Sequence, residues 1–439
     1  MTQDTIFALS SAHGRAAVAV IRVSGPAAAD VLANMAGMVP PHRQARLRII
    51  RHPQSKAPID QALILYFKAP ASETGEDIAE LQIHGGRAVI SATLAALGTI
   101  PGCRMAEPGE FARRAFHNGK LDLTAAEGLA DLIDAETDAQ RAQALDQASG
   151  ALTKLYDGWR KSLIEAQALV EALIDFADER DVTNGVYDHA QQEAGWLRGS
   201  IQRHLKLANK GEILRNGYQV VLAGAPNAGK SSLLNALARR DAAIVSEEAG
   251  TTRDIIEVRL DLGGIAVVVS DTAGVRDADG AIEREGIRRT LARAKDADLV
   301  LWLVDATAPQ CVLPPEVRAE RSLLVVNKID AASPVIDGAA AMVSARTGEG
   351  IDELSTLIAK RARSALGEKT DPAPTQERHR LHLQRALTHI DAFLSGSEDQ
   401  LELRAEDLRL AANELGRLTG RIDPEEILGQ IFGRFCIGK

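Results

Sequence analysis

The segment running from Val220 through Gly224 to Ser232, Val-Val-Leu-Ala-Gly-Ala-Pro-Asn-Ala-Gly-Lys-Ser-Ser, constrains the fold of this chain more than any other. Val220, Val221 and Leu222 read as a buried strand, Gly224 to Ser231 fits G-x-x-x-x-G-K-[ST], and Leu233, Leu234 and Leu237 begin a helical period. Strand, glycine loop and helix are the context in which such a loop binds phosphate. Gly224 and Gly229 let the backbone wrap an anion, so that loop N–H groups and the helix N-terminus face it. Lys230 can reach the β- and γ-phosphates, and the Ser231 hydroxyl can ligate Mg²⁺. A chance glycine turn would meet the spacing without needing the flanking strand and helix.

At 439 residues the chain is too long for one ordinary core, which predicts several domains. Aromatic residues make up only 3%, so the cores must be built from Ala, Leu, Val and Ile. No run approaches the roughly 18 apolar residues of a membrane span. Met1-Thr-Gln-Asp-Thr5 lacks the basic and apolar regions of a signal peptide, and three scattered cysteines suit a reducing compartment. A cytoplasmic protein is expected. The net charge of −9 argues against nonspecific nucleic-acid binding by the whole surface, while leaving room for a local basic patch.

Residues 1–118 mix short strands with helix. Val18–Val23 and Ala62–Phe67 read as strands, Ala79–His84 alternates up to Gly85-Gly86, and Arg87–Leu97 reads as a helix. The stretch from His42 to His52 is basic and interleaved with apolar residues. It is either a phosphate-backbone contact or the solvated face of a strand, and the solvated face is the commoner outcome. From 119 to 214, helical periods dominate, as in Leu129, Leu132, Ile133 and Leu163, Ile164, Ala168, Leu169. Residues 215–367 alternate strands and helices like a parallel α/β sheet. After the polar linker at 367–374, residues 376–418 return to helical period, as in Leu401, Leu403, Leu408, Ala411 and Leu415. The fold class expected is multidomain: an α+β N-terminal domain, and an all-α domain made discontinuous by an inserted Ras-like phosphate-loop α/β domain.

Three further motifs fix the nucleotide. Val267 to Asp271 is a buried strand delivering Asp271-Thr272-Ala273-Gly274, where Asp271 can join the Mg²⁺ shell and Gly274 can offer its N–H to the γ-phosphate. Asn327-Lys328-Ile329-Asp330 ends another strand. The Asp330 carboxylate can accept from guanine N1–H and the 2-amino group, a donor pair adenine lacks. Ser344-Ala345-Arg346 follows a third strand, where the Ala345 N–H can meet the guanine oxygen. Between these lies Gly250-Thr251-Thr252-Arg253-Asp254, a candidate switch whose Thr252 would complete the Mg²⁺ shell beside Ser231. The order predicts a GTPase. Val275 stands where Ras-like enzymes place the Gln that orients water, which leaves Glu283, Arg284 and Glu285 as candidates for that task or as solvated residues of a switch helix.

With these motifs the chain resembles the bacterial MnmE (TrmE) family of tRNA-modification GTPases over its whole length. The family-specific part rests on Thr74-Gly-Glu-Asp77, Glu80-Leu-Gln-Ile-His-Gly-Gly86, Gly109-Glu-Phe-Ala-Arg-Arg-Ala-Phe116, Gly119 to Glu127 and Phe435-Cys-Ile-Gly-Lys439. The resemblance implies an N-terminal domain (1–118) that binds a tetrahydrofolate derivative and makes a homodimer, a helical domain (119–214 and 368–439) and a G domain (215–367). It implies a partner, MnmG, which uses FAD and NADH and joins it in a heterotetramer. Together they would place aminomethyl or carboxymethylaminomethyl groups on C5 of the wobble uridine of certain tRNAs. The spans between Asp271 and Asn327 and before Ser344 are short for the family.

Carried over by position, Arg22, Glu80, Lys120 and Lys439 match folate contacts, and Glu283 matches the carboxylate that orients water. Asn227 matches a K⁺ ligand, joined by Ser246, Glu248 and Thr251. The resemblance extends the nucleotide contacts to Asn227, Ala228, Gly229, Lys230, Ser231 and Ser232, to Glu247, Ala249 and the rest of Ser246–Thr252, and to Lys328. Asn227, Lys230 and Glu283 are the catalytic candidates. Cys436 is a nucleophilic thiol or, more commonly for a free cysteine, a small packed hydrophobe. A ribosome-assembly GTPase of the Era or Der kind shares the loop and is the competing expectation.

Overall fold

The computed structural model describes residues 4–12, 14–175, 185–240, 256–271, 296–309, 319–332, 334–367, 372–422, 425–433, 435 and 438. By its internal contacts the chain divides into two units, one of Met1–Ala130, Gln147–Ala194 and Thr388–Lys439, the other of Asp131–Asp146 and Gly195–Leu387.

In the first unit, period-two sequences produce a sheet of β1 (Thr5–Leu9), β2 (Val18–Ser24), β3 (Arg46–Arg51), β4 (Pro58–Phe67), β5 (Ile78–His84) and β6 (Cys103–Met105). Its order is β3-β4-β5-β2-β1-β6, with only β1 and β6 parallel. Alternate residues, among them Ile21, Val23, Ile50, Ile64 and Leu81, form one core with helices α1 (Ala28–Ala36) and α2 (Arg87–Gly98). The opposite face is covered near β1 by α3 (Glu110–His117), where Phe111 packs on Ile6 and Ala8. Towards β3 that face leaves Val18, Leu47 and Ile49 exposed at 54%, 55% and 48%.

The helical residues form α4 (Leu123–Ile133), α5 (Asp138–Ala148), α6 (Ala151–Asp175), α7 (Val186–Leu205) and α8 (Ala208–Asn216). The heptad-like apolar rows of α6 (Tyr156, Leu163, Val170) are fully buried, as the sequence period requires.

In the second unit, β7 (Tyr218–Gly224), α9 (Lys230–Arg240), β8 (Ile256–Asp261), β9 (Ala266–Asp271), β10 (Leu299–Asp305), β11 (Ser322–Asn327), β12 (Ala339–Val343) and α10 (Ile351–Leu366) make the inserted G domain. The sheet order β12-β11-β10-β7-β9-β8 is parallel except for the β8–β9 pair. Its central strands are unbroken apolar runs rather than alternating ones, because both faces are covered. The C-terminal ends of β7, β9, β10 and β11 therefore deliver Gly224, Asp271, Asp305 and Asn327 to one edge, where ligands bind in open α/β sheets.

After the G domain come α11 (Glu377–Ser395), α12 (Leu401–Thr419) and α13 (Glu425–Phe432). α12 lies along α6, and Arg421 pairs with Asp157 at 2.6 Å. Phe432 and Phe435 pack with Leu123 and Ala112, and beyond them the Gly438 carbonyl accepts a hydrogen bond from Ser10 Oγ at 2.8 Å.

Candidate functional site

The phosphate loop has the backbone that its sequence demands. Gly224 sits at φ +136, and a Cβ there would lie 2.3 Å from the Leu303 carbonyl oxygen. Asn227 holds a left-handed φ of 63°, a conformation Asn tolerates better than most residues. Lys230 Nζ donates to the carbonyls of Gly224 and Ala225 at 3.0 and 2.9 Å, inside the curve of the loop. Burial lowers the pKa of this ammonium, and the nearby Asp271 carboxylate opposes that shift. Ser231 Oγ donates to Asp271 Oδ2, so two hard oxygen donors meet at the start of α9, as a Mg²⁺ site requires. Asp271 is fully buried, while Ser231 and Ser232 are exposed at the first turn.

The residues expected to read guanine are tied to this loop. Asn327 Nδ2 donates to the Ala228 carbonyl at 2.8 Å, and a Cβ on Gly229 would meet that nitrogen at 2.3 Å. Asn327 Oδ1 accepts from the Ala345 N–H at 3.1 Å. The sequence reading aimed that N–H at the guanine oxygen; here the nearest acceptor is the Asn327 amide. Asp330 is held by Ser344 Oγ at 2.7 Å and has Arg346 at 3.6 Å. Lys328, at φ 68°, donates to Asp305 Oδ2 at 2.6 Å. Burial alone would raise the Asp305 carboxyl, but the hydrogen bonds from Lys328 and Thr307 outweigh it and lower its pKa. Asp305 was not foreseen. The available signal was its place at the end of β10, matching Asp271 on β9 and Asn327 on β11.

Several expected site residues lie outside the described residues: Ser246, Glu247, Glu248, Ala249, Gly250, Thr251, Thr252, Thr272, Ala273, Gly274, Glu283 and Lys439, with Val275, Arg284, Glu285 and Cys436.

In the N-terminal domain, Arg22 and Glu80 stand side by side on β2 and β5, with the guanidinium 3.2 Å from Glu80 Oε1 and 2.7 Å from Glu73 Oε2. The Arg22 guanidinium also lies over the Phe111 ring, 5.9 Å from its centroid. Lys120 is exposed, and its Cε would be 3.3 Å from a Cβ on Gly75. Ser10 brings the residue before Lys439 to the end of β1. Arg22, half-buried, and Lys120, exposed, are cationic groups of the kind that can meet a ligand's carboxylates.

Beneath this surface is a buried network that sequence reasoning missed. Ser24 Oγ bonds Thr74 Oγ1 and Glu76 Oε2, each at 2.7 Å. Arg114 reaches Glu76 at 3.2 Å and Glu110 at 3.1 Å, and Arg104 reaches Glu110 at 2.6 Å. Burial pushes the Glu110 carboxyl up, but Arg104, the Glu107 N–H and Arg114 together hold it at about 2. The Thr74-Gly-Glu-Asp77 motif is thus a braced turn, with Asp77 accepting from Tyr66 at 2.7 Å.

Family models for the GTP-binding protein TrmE N-terminus and the MnmE helical domain match residues 5–120 and 123–436. The chain belongs to the MnmE family of tRNA modification GTPases. It is 49% identical to the MnmE of Brucella anthropi, over 100% of this chain and 98% of that protein. To the MnmE of Parvibaculum lavamentivorans it is 52% identical, over 99% of this chain and 100% of that one. Among solved structures, the FeoB iron transporter G domain of T. maritima is 27% identical, with a TM-score of 0.25, over 33% of this chain and 98% of that one. This chain carries its G domain between helical segments. Among the described residues no helix is long and apolar enough to cross a membrane.

Proposed function

We propose that this chain is a cytoplasmic GTP-hydrolysing subunit that modifies C5 of the wobble uridine of certain tRNAs, together with a flavin- and NADH-using partner of the MnmG kind in a heterotetramer. The observation that supports it most is the Asn327 amide joining the phosphate loop at Ala228 to the Ala345 backbone, beside an Asp330 oriented by Ser344. This stands in a chain that matches tRNA modification GTPases from end to end. The match does not favour the ribosome-assembly alternative.

In this reading Asp330 accepts from the guanine edge, and Asn327 keeps loop and base pocket in one register. Lys230 exchanges the Gly224 and Ala225 carbonyls for phosphate oxygens. Ser231, Asp271 and Thr252 hold Mg²⁺, which neutralises charge on the phosphates. Val275 cannot align water, so Glu283 orients the attacking molecule. Asn227, with Ser246, Glu248 and Thr251, holds K⁺, whose positive charge beside the phosphates does the work of an arginine finger.

Arg22, Glu80, Lys120 and Lys439 bind a tetrahydrofolate derivative, which supplies a one-carbon unit when bound. Residues 1–118 form the folate domain, 119–214 and 368–439 the helical domain, and 215–367 the G domain. The exposed Leu47 and Ile49 on β3, with Val18 on β2 of the same sheet face, suit a homodimer through the N-terminal domains.

The deciding experiment is mass spectrometry of tRNA nucleosides from a strain lacking the gene. Loss of the C5-modified wobble uridine, restored by the intact chain, is expected. Unchanged nucleosides would sink the reading.

A further inference from the structure

The hairpin at the free edge of the N-terminal sheet carries a concentration of positive charge that the GTP and folate sites do not use. From residue 31 to residue 59 the sequence contains no Asp or Glu, while Arg43, Arg46, Arg48, Arg51 and Lys56 all fall within it. The whole chain has a net charge of −9, so this local excess runs against the global balance. All five side chains are exposed. Each guanidinium reaches only neutral acceptors: Arg43 the Ala71 carbonyl, Arg46 the Gln44 amide, Arg48 the Met38 sulfur and Arg51 the Lys56 carbonyl. Among the described residues none of the five forms an ion pair with a carboxylate.

A charged edge strand has an ordinary explanation, since charge blocks edge-to-edge aggregation. That explanation does not call for a run of one sign without acidic partners. Arg43 and Lys56, at its two ends, both sit at φ 59°, a left-handed conformation that is uncommon for such residues. β3 pairs with β4 alone, so Arg46 and Arg48 lie opposite Ile64 and Ala62, two residues apart on one face and about 6.6 Å from each other. That spacing is comparable to that of neighbouring phosphates along a nucleic-acid strand. Leu47 and Ile49 point to the other face, which leaves Arg46 and Arg48 clear of the surface assigned above to a second copy, while Arg51 follows the alternation onto the Leu47 and Ile49 side at the end of β3.

We propose that the β3–β4 hairpin is a docking site for the phosphate backbone of tRNA. This rests on the reading that tRNA is the substrate. Phosphate contacts position a nucleic acid without reading its bases, so the hairpin supplies affinity and orientation while wobble-base choice lies elsewhere. It also answers how an acidic protein approaches a polyanion: through one localised field rather than through its net charge.

The test is filter binding of unmodified tRNA to the full-length protein across a salt series, comparing it with the variant R43Q/R46Q/R48Q/R51Q. Loss of four phosphate contacts should reduce the slope of log affinity against log salt by about 3 and weaken binding at least roughly tenfold near physiological salt. The loss should be equal for tRNAs of different anticodon, with GTP hydrolysis unchanged. Unchanged slope and affinity would overturn the proposal, as would failure of the unaltered protein to bind tRNA. Loss of binding to phosphatidylserine vesicles without loss of tRNA binding would overturn it in favour of a membrane contact. If the variant binds tRNA normally while the deletion strain lacks the modified uridine, only the hairpin assignment fails and the proposed activity stands.

Discussion

The side-chain amide of Asn327 donates to the Ala228 carbonyl at 2.8 Å and so fastens the end of β11 to the phosphate loop, 99 residues away. Its other end accepts from the Ala345 N–H. One buried side chain therefore couples the two halves of the nucleotide site.

Removing that link in Asn327→Ala leaves a carbonyl and an N–H unpaired in a buried place, at a cost of about 1–3 kcal/mol. GTP and GDP affinity should both fall by about 5- to 150-fold. Fluorescent-nucleotide titration measures it, and affinities within twofold of the unaltered protein would contradict the coupling.

Asp330→Asn replaces an acceptor by a group that can donate where guanine also donates. GTP binding should fall by on the order of 10⁴, as expected when a buried polar group loses its complement. Xanthosine triphosphate, whose C2 oxygen accepts, should bind better to the variant than GTP does. Competition titration of the two nucleotides decides between this and a purely structural role for Asp330.

Glu283→Ala should keep GTP affinity and lower turnover by about 10²- to 10⁴-fold, the range for a group that positions or accepts a proton from water. Replacing K⁺ by Na⁺ should slow hydrolysis of the unaltered protein but leave Asn227→Ala indifferent to the exchange. Single-turnover hydrolysis in each salt, alongside nucleotide titration, separates the two roles; parallel loss of binding and rate would make Glu283 structural.

The buried Glu110 carboxyl, held at about 2 against an ordinary 4.5, gives a pH signature. A depressed folded-state value means that its stabilisation is complete above the ordinary value and is lost as pH falls from there towards about 2. The N-terminal domain should lose denaturant resistance between pH 5 and pH 3, and Glu110→Gln should be weaker at pH 7 yet flatter across that window. Urea melts followed by circular dichroism at each pH test this. An equal pH dependence in the variant would assign the effect to other carboxylates.

Sequence reading found the central strands of the G domain because parallel strands covered on both faces are unbroken apolar runs, as in Val267–Val269 and Leu299–Val304. The Asn-Lys-Ile-Asp and phosphate-loop residues were legible for a different reason: their spacing is fixed by the ligand. What stayed hidden depends on tertiary contact. Nothing local marks Asn327 as the brace of Ala228, and the Lys328–Asp305 pair joins the ends of two strands. Glu76 and Glu110 look like surface acids until Arg114 and Ser24 bury them. The short elements α1 and β6 carried too few periodic residues to stand out. For the stretch His42 to His52, the solvated-strand reading was right about exposure, and only the structure showed that its arginines lack acidic partners.

The hydrogen bond from Ser10 to the Gly438 carbonyl joins groups 428 residues apart in sequence. During translation, at about 5–20 residues per second, Gly438 is made roughly 20–90 s after Ser10. The rim of the N-terminal sheet must wait that long for its last neighbour, and a prematurely terminated polypeptide never receives it. The finish of the N-terminal sheet is thereby tied to synthesis of residues more than 400 positions downstream.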